Sequence, residues 1–397
     1  MDTITRIWFG RAGTNAVFSA EWMKSIQKTV LLLALLIAVC VPRHIPKALG
    51  ETAGPETAAN AKQRAGQLRK ALPPESSKTL SLMLEPGDEA EAAAAYEIVE
   101  LISGGLETGP HGDAVLNLAP KLDKGGIQNI ADLLTLADCD MAILPLPLLI
   151  RASGEIGEEN LRKHIVYIAP LFKEEFHLLA SWSISEVKQL AGKTVNLGVK
   201  DSAGDILGRE IFNHLGLNVN VVNIEHTGAI RAIQEGKIDA DLVLSGKPLS
   251  ALQDYTLAGP FRFLGIPPVE GLEKDFVPAK LTHGDYPKLI PEGVVYDTIA
   301  VPSVLIAYNW PKGSSRYRLL DLFARTFLLR FSELESGSHL PKWREIDLNA
   351  AIPGLTQFPP AERWLDQREF EFFLAKRRIN LPADRTQLFQ DIIRLRK

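Results

Sequence analysis

KTVNLGVKDSAGDILGREIFNHLGLNVNVVNI, residues Lys193 to Ile224, is the stretch that decides the fold. Its two ends, Lys193–Val199 and Asn218–Ile224, are rich in valine and alternate apolar with polar residues, which is typical of strands. Between them, Ala203–Gly216 carries apolar residues at helical spacing and closes on a glycine, which predicts a helix that ends there. A strand, a helix and a second strand joined by short loops favour a parallel sheet covered by helices.

The same alternation continues on both sides of this unit. Before it we predict, in order, a strand at 78–84, a helix at 89–102, a strand at 113–119, a helix at 126–136, a strand at 139–146 and a helix at 184–192. After it we predict a helix at 227–236, strands at 239–246 and 261–266, a long strand at 296–310 and a helix at 314–334. No internal repeat of fixed period is visible. The sequence therefore predicts an α/β fold made of two units in tandem.

Composition sets broad limits on size and partners. The chain has 397 residues, of which 46% are hydrophobic, enough for one large core or two of medium size. Its 44 basic and 48 acidic residues are mixed along the chain and give a net charge of -4. Because nucleic-acid binding needs a basic surface, we expect no nucleic-acid partner.

The N-terminal segment, residues 1–50, is predicted to be a signal peptide or an N-terminal anchor. Its twelve-residue apolar run, Val30–Val41, is shorter than the about 20 residues that span a membrane. That length fits the apolar region of a signal peptide, with Met23 as an alternative start of the chain. Cys40 leaves attachment of a lipid open. Residues 51–77, rich in Ala, Glu, Lys and Pro, are predicted to be a linker.

Three motifs carry a resemblance to a known family: LAGKTVNLG at Leu190–Gly198, GKIDA at Gly236–Ala240 and GKP at Gly246–Pro248. In this order and spacing they resemble the TAXI family of solute receptors that serve TRAP transporters, and the similarity spans Lys78–Trp364. The resemblance implies two doubly wound α/β lobes joined by crossing hinge strands, as in periplasmic binding proteins. It also implies an exported, periplasmic protein that captures a small organic solute and presents it to TRAP-type membrane permease subunits.

Under this resemblance the chain has four further predicted parts. They are lobe 1 at 78–178, lobe 2 at 179–300, a return to lobe 1 with C-terminal helices at 301–366, and an amphipathic C-terminal extension at 367–397. The apolar residues of the extension favour a docked helix over a membrane-surface role.

The loop after the predicted strand at 239–246 is a candidate binding element. In open parallel sheets, ligands bind outside the carboxyl ends of the strands, where loops and helix N-termini offer N–H groups. Gly246 permits close approach of the backbone, and Pro248 suits the first turn of a following helix. A simple strand-to-helix turn would use the same residues. With the resemblance, Ser245, Gly246, Lys247 and Pro248 are predicted to bind the ligand.

A second candidate element opens the helix at 203–216. Where the family typically has Gly-Ser-Gly-Thr, this chain has Ser202 in place of the serine and Asp201 in place of the first glycine. Ser202 also fits the N-cap of the helix, a structural role worth about 1 kcal/mol. Asp201 adds negative charge, from which we hypothesise that acidic solutes are disfavoured. Asp201, Ser202 and Gly204 are predicted ligand-binding residues.

The first lobe offers a third candidate loop, DKGGIQN. The family tends to have Thr-Gly-Gly-Ser-x-x-Asn here, so Gly125, Gly126 and Asn129 match, while Ile127 replaces the serine. A Gly-Thr-Tyr element expected near Glu85 is also absent. We predict that Gly125, Gly126 and Asn129 bind the ligand, in a cleft that either takes a more apolar solute or no longer binds one.

Catalytic and metal-binding patterns are weak. The Gly-Lys-Thr sequence at 192–194 lacks the earlier glycine of a phosphate loop and leads into a strand. The eight histidines show no zinc-ligand spacing. Cys139, between a predicted helix and strand, is predicted to be a buried, unreactive side chain. We therefore expect no enzymatic activity, no metal site and no cofactor.

Three functions remain open from the sequence. The leading one is the solute receptor of a TRAP-type transporter. The second is a non-transport periplasmic sensor or scaffold that keeps the fold with a degenerate cleft. The third is an enzyme on this fold, such as a precursor-forming protein similar to the thiamine-pyrimidine group, which would need a catalytic cluster that the sequence does not show. Fold analogy alone does not choose among them.

Overall fold

Strands and helices alternate broadly as the sequence predicts, but between residues 146 and 180 the structure has two helices and a long strand that were not predicted. The structure, a computed structural model, describes residues 78–105, 116–268 and 271–377. The helices are α1 Glu89–Gly105, α2 Gly126–Thr135, α3 Leu146–Ile156, α4 Glu158–His164, α5 Ala203–His214, α6 His226–Gln234, α7 Ser315–Leu334 and α8 Pro359–Arg377. The strands are β1 Thr79–Leu84, β2 Asn117–Leu122, β3 Met141–Pro145, β4 Ile165–Ala180, β5 Thr194–Asn196, β6 Asn220–Val222, β7 Ala240–Ser245, β8 Arg262–Leu264, β9 Val277–Thr282, β10 Val295–Tyr308 and β11 Thr356–Gln357.

These strands form one eleven-stranded sheet whose central path has the order β2-β1-β3-β10-β4-β7-β5-β6. At one end β1 pairs in parallel with β2 and β3, and at the other end β5 pairs in parallel with β6 and β7. We call β1–β3 with α1–α4 lobe 1, and β5–β7 with α5 and α6 lobe 2. The helices between successive parallel strands give both lobes the doubly wound α/β architecture.

Two long strands, β4 and β10, belong to both lobes. The first part of β4 pairs with β10, and its last part, Glu175–Ala180, pairs with β7 of lobe 2. In the same way β10 pairs with β9 over Val295–Ala300 and with β3 of lobe 1 over Ser303–Ala307. All of these contacts are antiparallel. The chain therefore crosses between the lobes on two adjacent, hydrogen-bonded strands, while the predicted domain boundaries themselves stay a prediction.

The apolar core lies on both faces of the sheet. On one face a continuous cluster runs through both lobes, built from α2, α3 and α5 with side chains such as Leu133, Leu148 and Leu207. On the opposite face, α1 and α7 cover lobe 1 and α6 covers lobe 2. This cluster includes side chains of both lobes and of the crossing strands. Burial of its apolar surface therefore stabilises the contact between the lobes.

Three local predictions differ from the structure. The helix predicted at 184–192 is only a 3-10 turn, Val187–Leu190, because Gly192 adopts a φ of 73° and turns the chain into β5. Pro248 does not start an α-helix: the Lys247–Pro248 peptide bond is cis, and a single 3-10 turn, Ser250–Leu252, follows. β9 was not predicted. The predicted signal segment, the linker and the end of the C-terminal extension lie outside the described residues.

Candidate functional site

The segment Glu85–Glu91, which follows β1 and begins α1, brings acidic side chains of lobe 1 against lobe 2. We call it the acidic segment. The hydroxyl of Ser245, at the carboxyl end of β7, donates to Asp88 Oδ1 at 2.7 Å. The backbone N–H of Ser250 and its hydroxyl donate to Glu89 Oε2 at 2.8 and 2.6 Å. The lobes therefore meet where strands of both end, as the position of ligands in open α/β sheets predicts.

Glu85 occupies the centre of this contact. Its carboxylate accepts the N–H of Gly126, the first residue of α2 in lobe 1, at 2.8 Å. It also accepts the N–H of Ala203, the first residue of α5 in lobe 2, with both oxygens at 2.9 Å. Two helix N-termini, one from each lobe, thus direct their positive ends at one carboxylate. Burial raises the pKa of Glu85 to about 7, against the opposing effect of the bonds from Ala203 and Gly126.

Two glycines of lobe 1 allow this close approach. Gly126 has a φ of 58°, and a Cβ there would lie 2.1 Å from the carbonyl oxygen of Asp201 in lobe 2. Gly125 has a φ of 79°, and a Cβ there would lie 2.6 Å from Cγ of Glu85. Asn129 fixes the loop, since its Oδ1 accepts the Gly125 N–H at 3.0 Å. A side chain at Gly126 would separate the two lobes locally, and a side chain at Gly125 would displace the side chain of Glu85.

The loop before α5 contributes backbone groups. Ser202 is the N-cap of α5, and its hydroxyl accepts the N–H of Asp205 at 3.2 Å. Asp201 has a φ of 64°, and its side chain is exposed. Gly204 is buried beside Ser202, and its N–H also favours the ionised form of Glu85. The capping role of Ser202 is thus present, and the carbonyl oxygen of Asp201 lies against Gly126 of lobe 1.

The loop after β7 packs against the start of α1. Ser245 is fully buried, and its hydroxyl lies 3.2 Å from the N–H of Ala90, which it accepts. A Cβ on Gly246 would lie 2.9 Å from Cβ of Ala90, so this glycine also permits a close contact between lobes. This part of the predicted binding loop is therefore buried in the interlobe contact.

The rest of that loop is tied to the crossing strands. The Lys247 N–H donates to Glu175 Oε2 of β4 at 3.1 Å, and its ammonium group pairs with Asp285 of the same lobe at 3.1 Å. Glu175 also forms a fully buried ion pair with Lys342 at 2.8 Å. Pro248 follows Lys247 through the cis bond and is half-buried. A single carboxylate of the crossing strand therefore joins lobe 2 to the C-terminal part of the chain.

Each of the three predicted binding loops lies where the lobes meet, and their role in binding a ligand stays a prediction. Sequence reasoning missed Glu85 itself. It also missed three buried carboxyl groups, Asp88 and Glu91 of the acidic segment and Glu174 of β4, which we call the carboxyl cluster. Burial raises the pKa of each of them, and for Glu174 the charges of Asp88 and Glu91 add to this effect.

A histidine of lobe 2 also went unpredicted. His226 begins α6, and its Nδ1 lies 2.8 Å from Oδ1 of Asp241, which also accepts an N–H of the Asn196 amide at 2.8 Å. Burial lowers the pKa of His226, but the carboxylate of Asp241 outweighs it, and the net shift is upward. Asp88 and Glu85 raise it further. The imidazole is therefore held beside the acidic segment in a field that favours its charged form.

Cys139 is a buried side chain, as the sequence predicts. Burial raises its pKa to about 11, far above that of a reactive thiolate. As far as they are described, none of helices α1–α8 has the length and apolar composition of a membrane span.

Comparison with known proteins identifies a family to which this chain is similar. The model of the NMT1-like family matches residues 110–323, more than half of the chain. No curated protein matches significantly.

Several solved structures are similar to this chain at low identity. XAC2383 from Xanthomonas citri bound to ATP is 12% identical, with 73% of this chain and 99% of that chain covered and a TM-score of 0.42. The periplasmic binding protein BugD is also 12% identical, with 76% and 98% covered and a TM-score of 0.42. The effector binding domain of QuiR in complex with shikimate is 13% identical, with 62% and 95% covered and a TM-score of 0.36. Structural similarity at this level does not indicate which ligand or partner this chain binds.

Proposed function

The chain belongs to the NMT1-like family, and from this premise we propose that it is an exported solute-binding protein. In this proposal it captures a small organic solute between its two lobes and presents it to the membrane subunits of a TRAP-type transporter. Hinge closure is the mechanism, because a solute that contacts both lobes stabilises the closed form over the open one.

The position of Glu85 is the observation that supports this proposal. Its carboxylate receives N–H groups from Gly126 of lobe 1 and Ala203 of lobe 2, as the acidic group of a ligand captured between lobes would. Donors from both lobes that converge on one point are what a closing receptor requires, since a ligand there interacts more strongly with the closed form. The crossing strands β4 and β10 supply the connection about which two lobes can close.

The same position indicates which solutes bind. A solute carboxylate would have to displace Glu85 from the N–H groups of α2 and α5, so we expect acidic solutes to bind more weakly than neutral or cationic ones. The exposed side chain of Asp201, on which the sequence-based hypothesis rested, is not needed for this argument. Binding rather than catalysis is proposed, since the thiol of Cys139 is buried and protonated at neutral pH.

Export and the TRAP-type partner rest on the sequence. The apolar run Val30–Val41 with its basic flank supports a signal peptide or an N-terminal tether, and hence a periplasmic location. The resemblance to TAXI receptors supports the permease partner. Neither the signal segment nor a permease contact lies within the described residues.

A periplasmic sensor or scaffold is the second candidate, and one specific observation favours it. Because Glu85 already satisfies the N–H groups of both lobes, the lobes can close without a solute. A protein that stays closed would offer a fixed surface to a partner and would not cycle with a transporter. A gene adjacent to genes for transporter membrane subunits would favour the receptor, and a gene without such neighbours would favour the sensor or scaffold.

A thermal-shift screen of the purified protein tests the proposed function. Amino acids, amines, dicarboxylates, keto acids and aromatic acids would be compared at millimolar concentration. A ligand at about 100 times its Kd adds ~2.7 kcal/mol to the free energy of unfolding, which raises the Tm by a few degrees. We expect a hit among neutral or cationic solutes. A well-folded protein without any hit would support the sensor or scaffold, and glutamate as the tightest binder would contradict the charge preference.

A further inference from the structure

The carboxyl cluster brings together oxygen atoms from two separate elements. Asp88 and Glu91 lie at the start of α1, and Glu174 lies in the crossing strand β4. One carboxylate oxygen of each lies within 4.8 Å of the other two, and the residues are 7%, 1% and 0% exposed. Calcium–oxygen distances of about 2.4 Å allow two ligand oxygens to lie up to about 4.8 Å apart. The spacing therefore fits one ion surrounded by all three carboxylates.

One oxygen of this cluster has no partner. Asp88 Oδ1 accepts the N–H groups of Ala90 and Glu91 and the Ser245 hydroxyl, and Glu91 Oε2 accepts the Glu85 N–H. Glu174 Oε1 accepts the hydroxyl of Ser303, but Glu174 Oε2 is buried without any hydrogen-bond partner. The side chains of Asp88 and Glu174 also lie within hydrogen-bond distance of each other, and two buried carboxyl groups this close need either a shared proton or a cation between them.

Lysine and arginine side chains of the described residues do not compensate the charge of the cluster; the imidazole of His226 interacts electrostatically with Asp88 but is hydrogen-bonded to Asp241. No lysine or arginine in residues 78–105, 116–268 and 271–377 forms an ion pair with Asp88, Glu91 or Glu174. The nearby ammonium group of Lys342 is already paired with Glu175 and Glu345, at 2.8 and 2.7 Å. Three buried carboxylates cannot all be ionised side by side without a cation or shared protons.

We propose that Asp88, Glu91 and Glu174 bind a hard divalent cation, with Ca²⁺ as the best fit. All the donors are oxygen, which suits Ca²⁺, Mg²⁺ or Mn²⁺ and disfavours metals that prefer nitrogen or sulfur. The longer Ca²⁺–O distance matches the spacing better than the about 2.1 Å of Mg²⁺. The ion would tie the start of α1 to the crossing strand directly beneath the interlobe contact. This site is independent of solute capture, and it departs from the sequence-based expectation of no metal.

Metal binding to the full, solute-free protein tests the proposal. Protein stripped with EDTA at pH 7.5 would be titrated with CaCl₂, MgCl₂ or MnCl₂, and bound ion counted by equilibrium dialysis. We expect one Ca²⁺ per chain and a rise in Tm of a few degrees, larger than with Mg²⁺. No bound ion at millimolar concentration would overturn the proposal and would indicate carboxyl groups that share protons instead.

Variants locate the ion. Glu174→Gln keeps the volume of the side chain but removes its charge, and we expect at least about 10-fold weaker Ca²⁺ binding. Glu100→Gln changes an exposed carboxylate later in α1, outside the cluster and the interlobe contact, so it should bind Ca²⁺ as the wild type does. Ca²⁺ affinity unchanged in Glu174→Gln would overturn the assignment.

If Glu174→Gln does not fold, proton release by the wild-type protein on Ca²⁺ binding tests the same assignment. Ligand carboxylates must be deprotonated, so Ca²⁺ binding to the wild-type cluster should release protons and weaken as the pH falls from 7.5 to 6. Release of protons into a weakly buffered solution on addition of CaCl₂ supports the cluster as the site. Stoichiometric binding without proton release or pH dependence places the ion elsewhere and contradicts the proposal.

Discussion

Both carboxylate oxygens of Glu85 lie 2.9 Å from the backbone nitrogen of Ala203, although the two residues belong to different lobes. The same carboxylate accepts the N–H of Gly126 at 2.8 Å. A side chain of the protein thus fills the place between two helix N-termini where an anionic group is best stabilised. The interlobe contact is built around it.

Removal of this carboxylate should create an anion site. Glu85→Ala leaves the N–H groups of Gly126 and Ala203 without an acceptor, and we expect a loss of about 1–3 kcal/mol in the free energy of unfolding. Acetate or formate should restore part of this loss in a concentration-dependent manner, as followed by Tm. Glu158→Ala, which removes a surface carboxylate paired with Arg162, is the control and should show no such rescue. An equal acetate response in both variants would contradict the account.

Closure of the lobes should depend on Gly126. In Gly126→Ala the new Cβ meets the carbonyl oxygen of Asp201, so the lobes must move apart. Gly236→Ala is a matched control, since Gly236 has a similar φ of 66° and no atom within 4 Å of a Cβ. Both variants carry the backbone strain of about 1–2 kcal/mol. Small-angle scattering should show a larger radius of gyration for Gly126→Ala only, and equal radii would argue against a tight interlobe contact there.

His177 should make stability depend on pH in the acid range. Burial lowers its pKa to about 3, from an ordinary value near 6.5. Between these values the unfolded chain binds a proton that the folded chain does not, so the stabilising contribution is complete above pH 6.5 and is lost as the pH falls towards 3. Urea unfolding gives the free energy of unfolding at each pH between 6 and 4. Its slope against pH should be smaller in His177→Gln than in the wild type, by up to about 1.4 kcal/mol per pH unit.

Tyr286→Phe provides the comparison for this prediction. The Tyr286 hydroxyl lies 2.8 Å from His177 Nε2, so this variant removes the hydrogen bond but keeps the buried imidazole. Tyr286→Phe should have a lower free energy of unfolding than the wild type, but the same slope of this free energy against pH. A slope in His177→Gln identical to that of the wild type would show that His177 does not titrate on unfolding.

The buried ion pair between Arg316 and Asp140 should be essential for the stability of lobe 1. Both side chains are buried, and the guanidinium also donates to the Thr79 carbonyl oxygen at 2.7 Å. Arg316→Met would leave Asp140 as an uncompensated buried charge, at a cost of about 3–5 kcal/mol in urea unfolding. Arg325→Met, on the exposed side of α7, breaks a surface pair and should cost less than about 0.5 kcal/mol. Similar costs for both would contradict this role.

The sequence predicted the elements whose signals are local. The helix of the Lys193–Ile224 unit follows from apolar residues at helical spacing, and Gly216 at its end has the expected positive φ of 67°. The crossing strand β10 was predicted from the long β-prone segment YDTIAVPSVLIAYNW, which is rich in valine, isoleucine and tyrosine. In contrast, β9 went unnoticed because VPAKLT lacks such a run.

The centre of the site was beyond sequence reasoning for physical reasons. The bond between Glu85 and Ala203 joins residues 118 positions apart, and no local pattern encodes it. Glu174 and Glu175 are neighbours in a strand and point to opposite faces, so the sequence does not reveal that both are buried. His226, at the start of α6, carries no spacing signal, because its partner Asp241 lies 15 residues later in β7. Gly125 and Gly126 were found only through the family resemblance.

Titration calorimetry with the strongest binder from the solute screen tests the central claim, capture between the lobes, most directly. Wild type, Gly126→Ala and Gly236→Ala would be compared. We predict at least about 10-fold weaker binding by Gly126→Ala, a loss of about 1.4 kcal/mol or more, and an unchanged Kd for Gly236→Ala. Equal affinity in all three proteins would contradict capture between the lobes.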